Sequence, residues 1–229
     1  MGYLPVMAKS KTPQTTIQVD IVSDIVCPWC WLGVKLFEKA AKQSKQNITI
    51  SWRPYMLDPS VPEDGVPYKD YMKQKFGDTP SNKFTEMRKH LEQAAPQHGI
   101  EYKFDDIPLR INTLNAHRFL KWAQGQDKGN AASEALFKTY FTDLKNVSDP
   151  VILAEIATDI GMDGSLVLEL LSKEDDKNSI REEIMFFRNL GVNAVPTFIY
   201  NGQFAVQGAQ APEAHIEAIK KAAQMPAQT

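Results

Sequence analysis

The chain has 229 residues, 43% apolar, 10% aromatic and 24% charged, which is enough material for one large domain or two small ones and excludes disorder as the default. Twenty-eight acidic against twenty-six basic side chains leave a formal net charge of −2, so there is no global electrostatic case for nucleic acid or an anionic membrane surface as partner. No apolar run approaches the ~20 residues that span a bilayer, and the polar start, with Pro5 and Pro13, lacks a secretory core. The expectation is a cytoplasmic protein with a flexible tail over 1–15.

Residues 16–25 alternate Ile17, Val19 and Ile21 against polar neighbours, the period of a strand. From Pro28 to about Lys45, Leu32, Leu36 and Ala40 recur at i, i+4, i+8 with Phe37 and Ala41 beside them, which predicts an amphipathic helix with proline at its first position. Ile48, Ile50 and Trp52 then alternate up to Pro54, a second strand. After Pro59 only helical stripes follow: Tyr68 to Phe76, Phe84 to Ala95, Ala116 to Ala123, Leu136 to Leu144, a capped start at Ser148-Asp149-Pro150, Leu166 to Leu171, and about Asp175 to Leu190. Gly191 reads as the stop signal. Strand character returns at Ala194 to Tyr200 and Gln203 to Val206, joined by Asn201-Gly202, a strong hairpin signal, before a last helix from Ala211. The order is β-α-β, a large helical insertion, then α-β-β-α. The boundaries predicted are a mixed α/β domain from 16–56 and 178–224 and a helical insertion domain over 57–177, bracketed by the Pro- and Asp-rich 57–66 and the charged 173–178.

The only two cysteines stand three apart, as Cys27-Pro28-Trp29-Cys30, between the first strand and the first helix. A thiol at the first turn of a helix meets unpaired backbone N–H groups and the positive end of the helix dipole, which favour thiolate. Cys27 is thus the expected nucleophile and Cys30 the residue that resolves it, with Pro28 and Trp29 tuning the pair. Two cysteines exclude a disulfide framework. A structural zinc needs about four ligands, and the four histidines, His90, His98, His117 and His215, are scattered singly, so no metal is expected.

A strand entering Cys-Pro-Trp-Cys on a helix, with Val195-Pro196-Thr197 opening a late strand, resembles the thioredoxin superfamily. The longer stretches are similar to the FrnE-like branch of the DsbA family: Asp24 to Gly33, Trp52-Arg53-Pro54-Tyr55 through Asp58-Pro59, Asn112-Thr113 with Ala116-His117-Arg118, and Gly191-Val192 through Phe198 to Val206-Gln207-Gly208-Ala209-Gln210. The resemblance implies an α/β thioredoxin fold with a large all-helical insertion, a cis peptide before Pro196, and thiol–disulfide exchange at Cys27–Cys30 with thiol or disulfide substrates. It implies no bound cofactor beyond the redox-active disulfide, with glutathione a candidate co-substrate; exposed edge strands and the helical insertion make a homodimer a candidate assembly. Val195, Pro196, Trp31, Asn112, Thr113 and His117 are the substrate-binding residues it suggests, around a cleft that exposes Cys27. Arg53 and Arg118 suit fold-locking ion pairs. Two rival readings stand beside it. One is a glutathione-dependent isomerase or transferase, kin to 2-hydroxychromene-2-carboxylate isomerases and kappa-class glutathione transferases, which typically carry serine where Cys27 stands. The other is a holdase that grips unfolded segments with Trp29 and Trp31.

Overall fold

The structure, a computed structural model, describes residues 16–77 and 82–225; the predicted tail lies outside them. Strand β1 (Ile17–Ser23) buries Ile17, Val19 and Ile21 completely, which is what its period-two pattern requires of a central strand. Helix α1 (Pro28–Ser44) follows and stops at Lys45, which turns into the left-handed region at φ 55°. Strand β2 (Ile48–Pro54) lies parallel to β1, with Ile17 opposite Ile48 and Ile21 opposite Trp52.

Between β2 and the next strand of this sheet the chain is helical: α2 (Tyr68–Phe76), α3 (Asn82–Ala94), α4 (Leu114–Gln124), α5 (Gly129–Phe141), α6 (Pro150–Asp159), α7 (Gly164–Leu171) and α8 (Lys177–Asn189). The capping expectation holds at α6, where the Asp149 carboxylate accepts the Val151 N–H at 2.8 Å. A two-residue antiparallel ribbon, β3 (Val66–Pro67) with β4 (Leu109–Arg110), interrupts the helices and was too short to give a periodic signal. Helix α5 begins before the Leu136 stripe, at Gly129, where a Cβ would meet the Trp52 ring at 2.9 Å, and Leu144 falls outside it at φ 61°.

Strands β5 (Thr197–Tyr200) and β6 (Phe204–Gln207) complete a four-stranded sheet in the order β2-β1-β5-β6, with β5 and β6 antiparallel to their neighbours. Asn201 and Gly202, at φ 49° and 68°, turn the hairpin as Asn-Gly should. Asn201 does more than turn: its carbonyl oxygen takes the Gln18 N–H at 2.9 Å and its amide reaches the Ala222 carbonyl at 3.1 Å, so one side chain ties β1 to α9 (Pro212–Ala223). Helices α1 and α9 cover one face of the sheet, where Phe37 stacks on Phe198 with centroids 5.2 Å apart. Burying a phenylalanine so fully is worth about 1.5–3 kcal/mol.

The two arginines are structural. Arg53 pairs with Asp20 at 2.7 Å and Glu183 at 3.2 Å, joining the sheet to α8. Arg118, fully buried, bonds the Leu170, Leu171 and Lys173 carbonyls and Asp176, so it neutralises the C-terminal end of α7 from within. Among the described residues no helix is long and apolar enough to cross a membrane.

Candidate functional site

Cys27 is the N-cap of α1, in extended conformation at φ −97°, ψ 107°, with Pro28 at the first helical position. Its N–H bonds to the Asp24 carbonyl at 3.0 Å and its carbonyl takes the Cys30 N–H at 2.9 Å, so the turn that carries the sulfur is fixed at both ends. The Cys27 thiol points at the Val195 carbonyl oxygen, 3.8 Å away, and the Val195–Pro196 peptide is cis. The Pro196 ring lies against Gly33 so closely that a Cβ there would stand 2.7 Å from Pro196 Cγ. The glycine is what lets the first turns of α1 approach the entry to β5.

Both cysteines are free thiols. Cys27 is 4% exposed and Cys30 not at all, so the open cleft expected at Cys27 is instead nearly covered, with Pro28 and Trp29 the partly exposed residues of the turn. Trp29 stacks on His90 of α3 with centroids 5.7 Å apart, which draws α3 across the turn. Burial pushes the Cys30 thiol well up, and the neighbouring Cys27 sulfur pushes it further; the Asp24 backbone and the Ser23 hydroxyl pull weakly the other way. Of the two sulfurs, Cys30 is therefore the one that keeps its proton.

Beneath the turn lies a buried polar cluster. Burial opposes ionisation of Asp24, yet the His117 ring 3.5 Å away, Arg110 and the Leu57 N–H at 2.7 Å outweigh it and hold the carboxyl below its ordinary value. Among the described residues, Arg110 Nε and His117 Nδ1 are buried without a hydrogen-bond partner. Each such group costs about 1–3 kcal/mol, so this region is not optimised for stability.

Several residues expected at a binding surface lie elsewhere. Trp31 is 1% exposed: its ring stacks on Phe137 and Phe141 of α5, and its N–H donates to Glu134 at 3.0 Å. It is core, which corrects its assignment to substrate and removes one of the two aromatics a holdase would use. Asn112 donates to the Val61 carbonyl at 2.7 Å and accepts the Leu114 N–H at 3.0 Å, so it shapes the entry to α4. Thr113 is buried and its carbonyl takes the His117 N–H. The His117 ring bonds the Tyr55 carbonyl at 2.9 Å and faces Asp24, behind the turn and not in front of it. Thr113 and His117 are buried, and the half-buried Asn112 spends its amide on backbone groups, so all three hold backbone in place.

Tyr102, which no sequence pattern singled out, brings its hydroxyl to the Pro28 carbonyl at 2.6 Å. Its ring meets Trp31 edge-on and stacks on Phe104. Asp24 stood inside the quoted motif and carried no assigned role; its place three residues before Cys27 was the available signal. Among the described residues no group of three His, Cys, Asp or Glu side chains could hold a metal ion.

Comparison with known proteins agrees with this geometry. A solved structure described as a "probable DsbA oxidoreductase" of Streptomyces coelicolor is 27% identical, with a TM-score of 0.83 over 93% of this chain and 92% of that one. The uncharacterized protein YwbO of Bacillus subtilis is 26% identical over 205 residues, 89% of this chain and 96% of its own. The cytosolic disulfide reductase DsbM of Pseudomonas aeruginosa, solved with GSH, shares the fold at 13% identity and a TM-score of 0.64, over 91% of this chain and all of its own. The pattern of the DSBA-like thioredoxin domain matches residues 18–220, so the chain belongs to the DSBA-like thioredoxin domain family of thiol oxidoreductases.

Proposed function

We propose that the protein exchanges disulfides through Cys27 and Cys30, as a FrnE-like member of its family. The observation that carries this reading is the division of labour between the sulfurs: Cys27 caps α1 opposite the Val195 carbonyl, while Cys30 is sealed beneath it with its thiol pushed up.

In the reducing direction, the Cys27 thiolate attacks a substrate disulfide, forming a mixed disulfide and releasing one substrate sulfur as thiolate, which takes up a proton. Cys27 is then neutral, so its repulsion of a Cys30 thiolate disappears. Ser23 and the Asp24 backbone still favour that thiolate. Cys30 loses its proton and attacks Cys27, the Cys27–Cys30 disulfide forms, and the second substrate sulfur leaves as thiol. Oxidation of a substrate dithiol runs the same steps backwards. The thiol proton can ionise only if its bond to the Val195 carbonyl is given up, which frees that carbonyl for an extended substrate backbone. Because Cys27 is nearly covered, the residues over it must shift before a substrate enters.

Glutathione is the co-substrate this reading favours, because the DsbM fold was solved with GSH and the Val195 edge would pair with a short peptide. The test is reduction of insulin by the wild-type protein and by Cys27→Ser. The variant should lose turnover entirely; undiminished dithiol activity in Cys27→Ser would refute the assignment.

A further inference from the structure

Tyr102 reaches the redox turn from a segment far along the chain, and its contact falls on an unusual atom. The first turn of α1 has few free donors: Pro28 has no N–H, and the Cys30 N–H is committed to the Cys27 carbonyl at 2.9 Å. Trp29, at the second helical position, carries the remaining N–H, the place from which an N-cap side chain is normally capped. That N–H belongs to the same peptide as the Pro28 carbonyl, which accepts the Tyr102 hydroxyl at 2.6 Å. A hydrogen bond to a carbonyl polarises its own peptide and makes the N–H on the other side a stronger donor.

As a thiol, Cys27 gives its proton to the Val195 carbonyl. As a thiolate it has no proton to give and must accept: the Cys30 thiol is one donor beside it, and Trp29 N–H, at the position from which N-cap side chains are bound, is the backbone donor that this register offers. We propose that Tyr102 is a positioning residue for the ionised Cys27 sulfur, acting through the Pro28–Trp29 peptide to fix and strengthen the Trp29 N–H. The proposal rests on the reading of Cys27 as the working sulfur.

Two features suit Tyr102 to this work. Its ring is held by Phe104, stacked at 4.8 Å, and by the edges of Trp31 at 5.6 Å and Phe141 at 5.3 Å, so the hydroxyl is delivered in one place. Burial pushes the phenol far up, and both cysteine sulfurs push the same way, so it remains a donor wherever Cys27 is ionised.

The experiment uses the full chain and follows thiolate formation by its ultraviolet absorbance as pH rises. Tyr102→Phe keeps the ring and removes the hydroxyl; its Cys27 midpoint should rise by about half a unit, roughly a threefold loss of thiolate at a fixed lower pH. Losing thiolate stabilisation disfavours the dithiol form, so the equilibrium with glutathione should move about threefold towards the protein disulfide, roughly 15 mV for a two-electron couple. Leu153→Ala loosens the core in α6, away from the turn, and leaves Tyr102 and its ring contacts in place, so it should shift neither. An equal shift in Leu153→Ala, or none in Tyr102→Phe, overturns the proposal. If Tyr102→Phe does not fold, a singly ring-fluorinated tyrosine at 102, the stronger donor, should lower the midpoint, and an unmoved midpoint overturns the proposal equally. The titration reads Tyr102 whether or not insulin is reduced, so a protein whose thiolate responds but which turns over no disulfide sinks the exchange reading alone.

Discussion

The Cys27 thiol and the Val195 carbonyl lie 3.8 Å apart although 168 residues separate them in the chain. The meeting depends on α1 docking against the entry to β5, and that docking has almost no slack. Pro196 touches the helix at Gly33, where a Cβ would be 2.7 Å from its ring and 3.3 Å from the Ala209 Cα.

Gly33→Ala therefore sets two effects against each other. In a helix interior alanine gains about 1 kcal/mol over glycine, whereas overpacking a closed interface costs about 1–3 kcal/mol. The second should win: the variant is expected to melt lower and to lose insulin reduction out of proportion, because the shift moves Cys27 from Val195. A raised melting temperature with full turnover would contradict the tight contact.

Cys30→Ala should accumulate mixed disulfides between Cys27 and substrate, visible as a shifted band on a non-reducing gel, because the resolving sulfur is gone. In the wild-type dithiol protein, alkylation at neutral pH followed by peptide mapping should label Cys27 before Cys30, since burial holds Cys30 protonated and out of reach. Preferential labelling of Cys30 would reverse the assigned roles.

Acid stability should fall in two stages. His215 is buried against Tyr200, its Nδ1 at 2.7 Å from the hydroxyl, and burial lowers it to about 4. An unfolded histidine titrates near 6.5, so between those values the unfolded chain binds the extra proton. Stability contributed by neutral His215 is whole above about pH 6.5 and is lost as pH falls towards 4, on the order of 3 kcal/mol. Asp24, held below its ordinary carboxylate value, adds a second loss that begins only below about pH 4. Urea melts across this range should show the first stage vanish in Tyr200→Phe with His215→Leu and the second remain. Persistence of the upper stage in that double variant would place its origin elsewhere.

Trp31→Ala should cost about 3–5 kcal/mol, as truncation of a large core aromatic does, and leave the KM for a disulfide substrate of the surviving folded protein unchanged. A selective rise in KM at wild-type stability would return Trp31 to the binding surface.

Much of the fold was legible because each element announces itself locally. The alternation of Ile17, Val19 and Ile21 needs only its own period to predict a buried strand, and Asn201-Gly202 needs only its own backbone preference to predict the hairpin. The Cys27 position was equally local, since a strand, a cysteine and a first-turn proline suffice to place a sulfur at a helix N-terminus. The β3–β4 ribbon escaped because two residues carry no period.

Partners across the chain were another matter. Trp31 was misplaced because the faces of a helix buried on both sides look alike in sequence; only the packing of α5 shows which face is covered. Asn112 and Thr113 stood in a family-like motif, and a motif does not say whether its polar atoms serve a ligand or the backbone. By itself the sequence determined which sulfur starts the helix and which strands carry it, because those depend on neighbours a few residues away. Tertiary structure alone decided that Val195 faces that sulfur, that Tyr102 holds the carbonyl beside it, and that both cysteines lie under cover, since each is a contact between segments that meet only when the whole chain has packed.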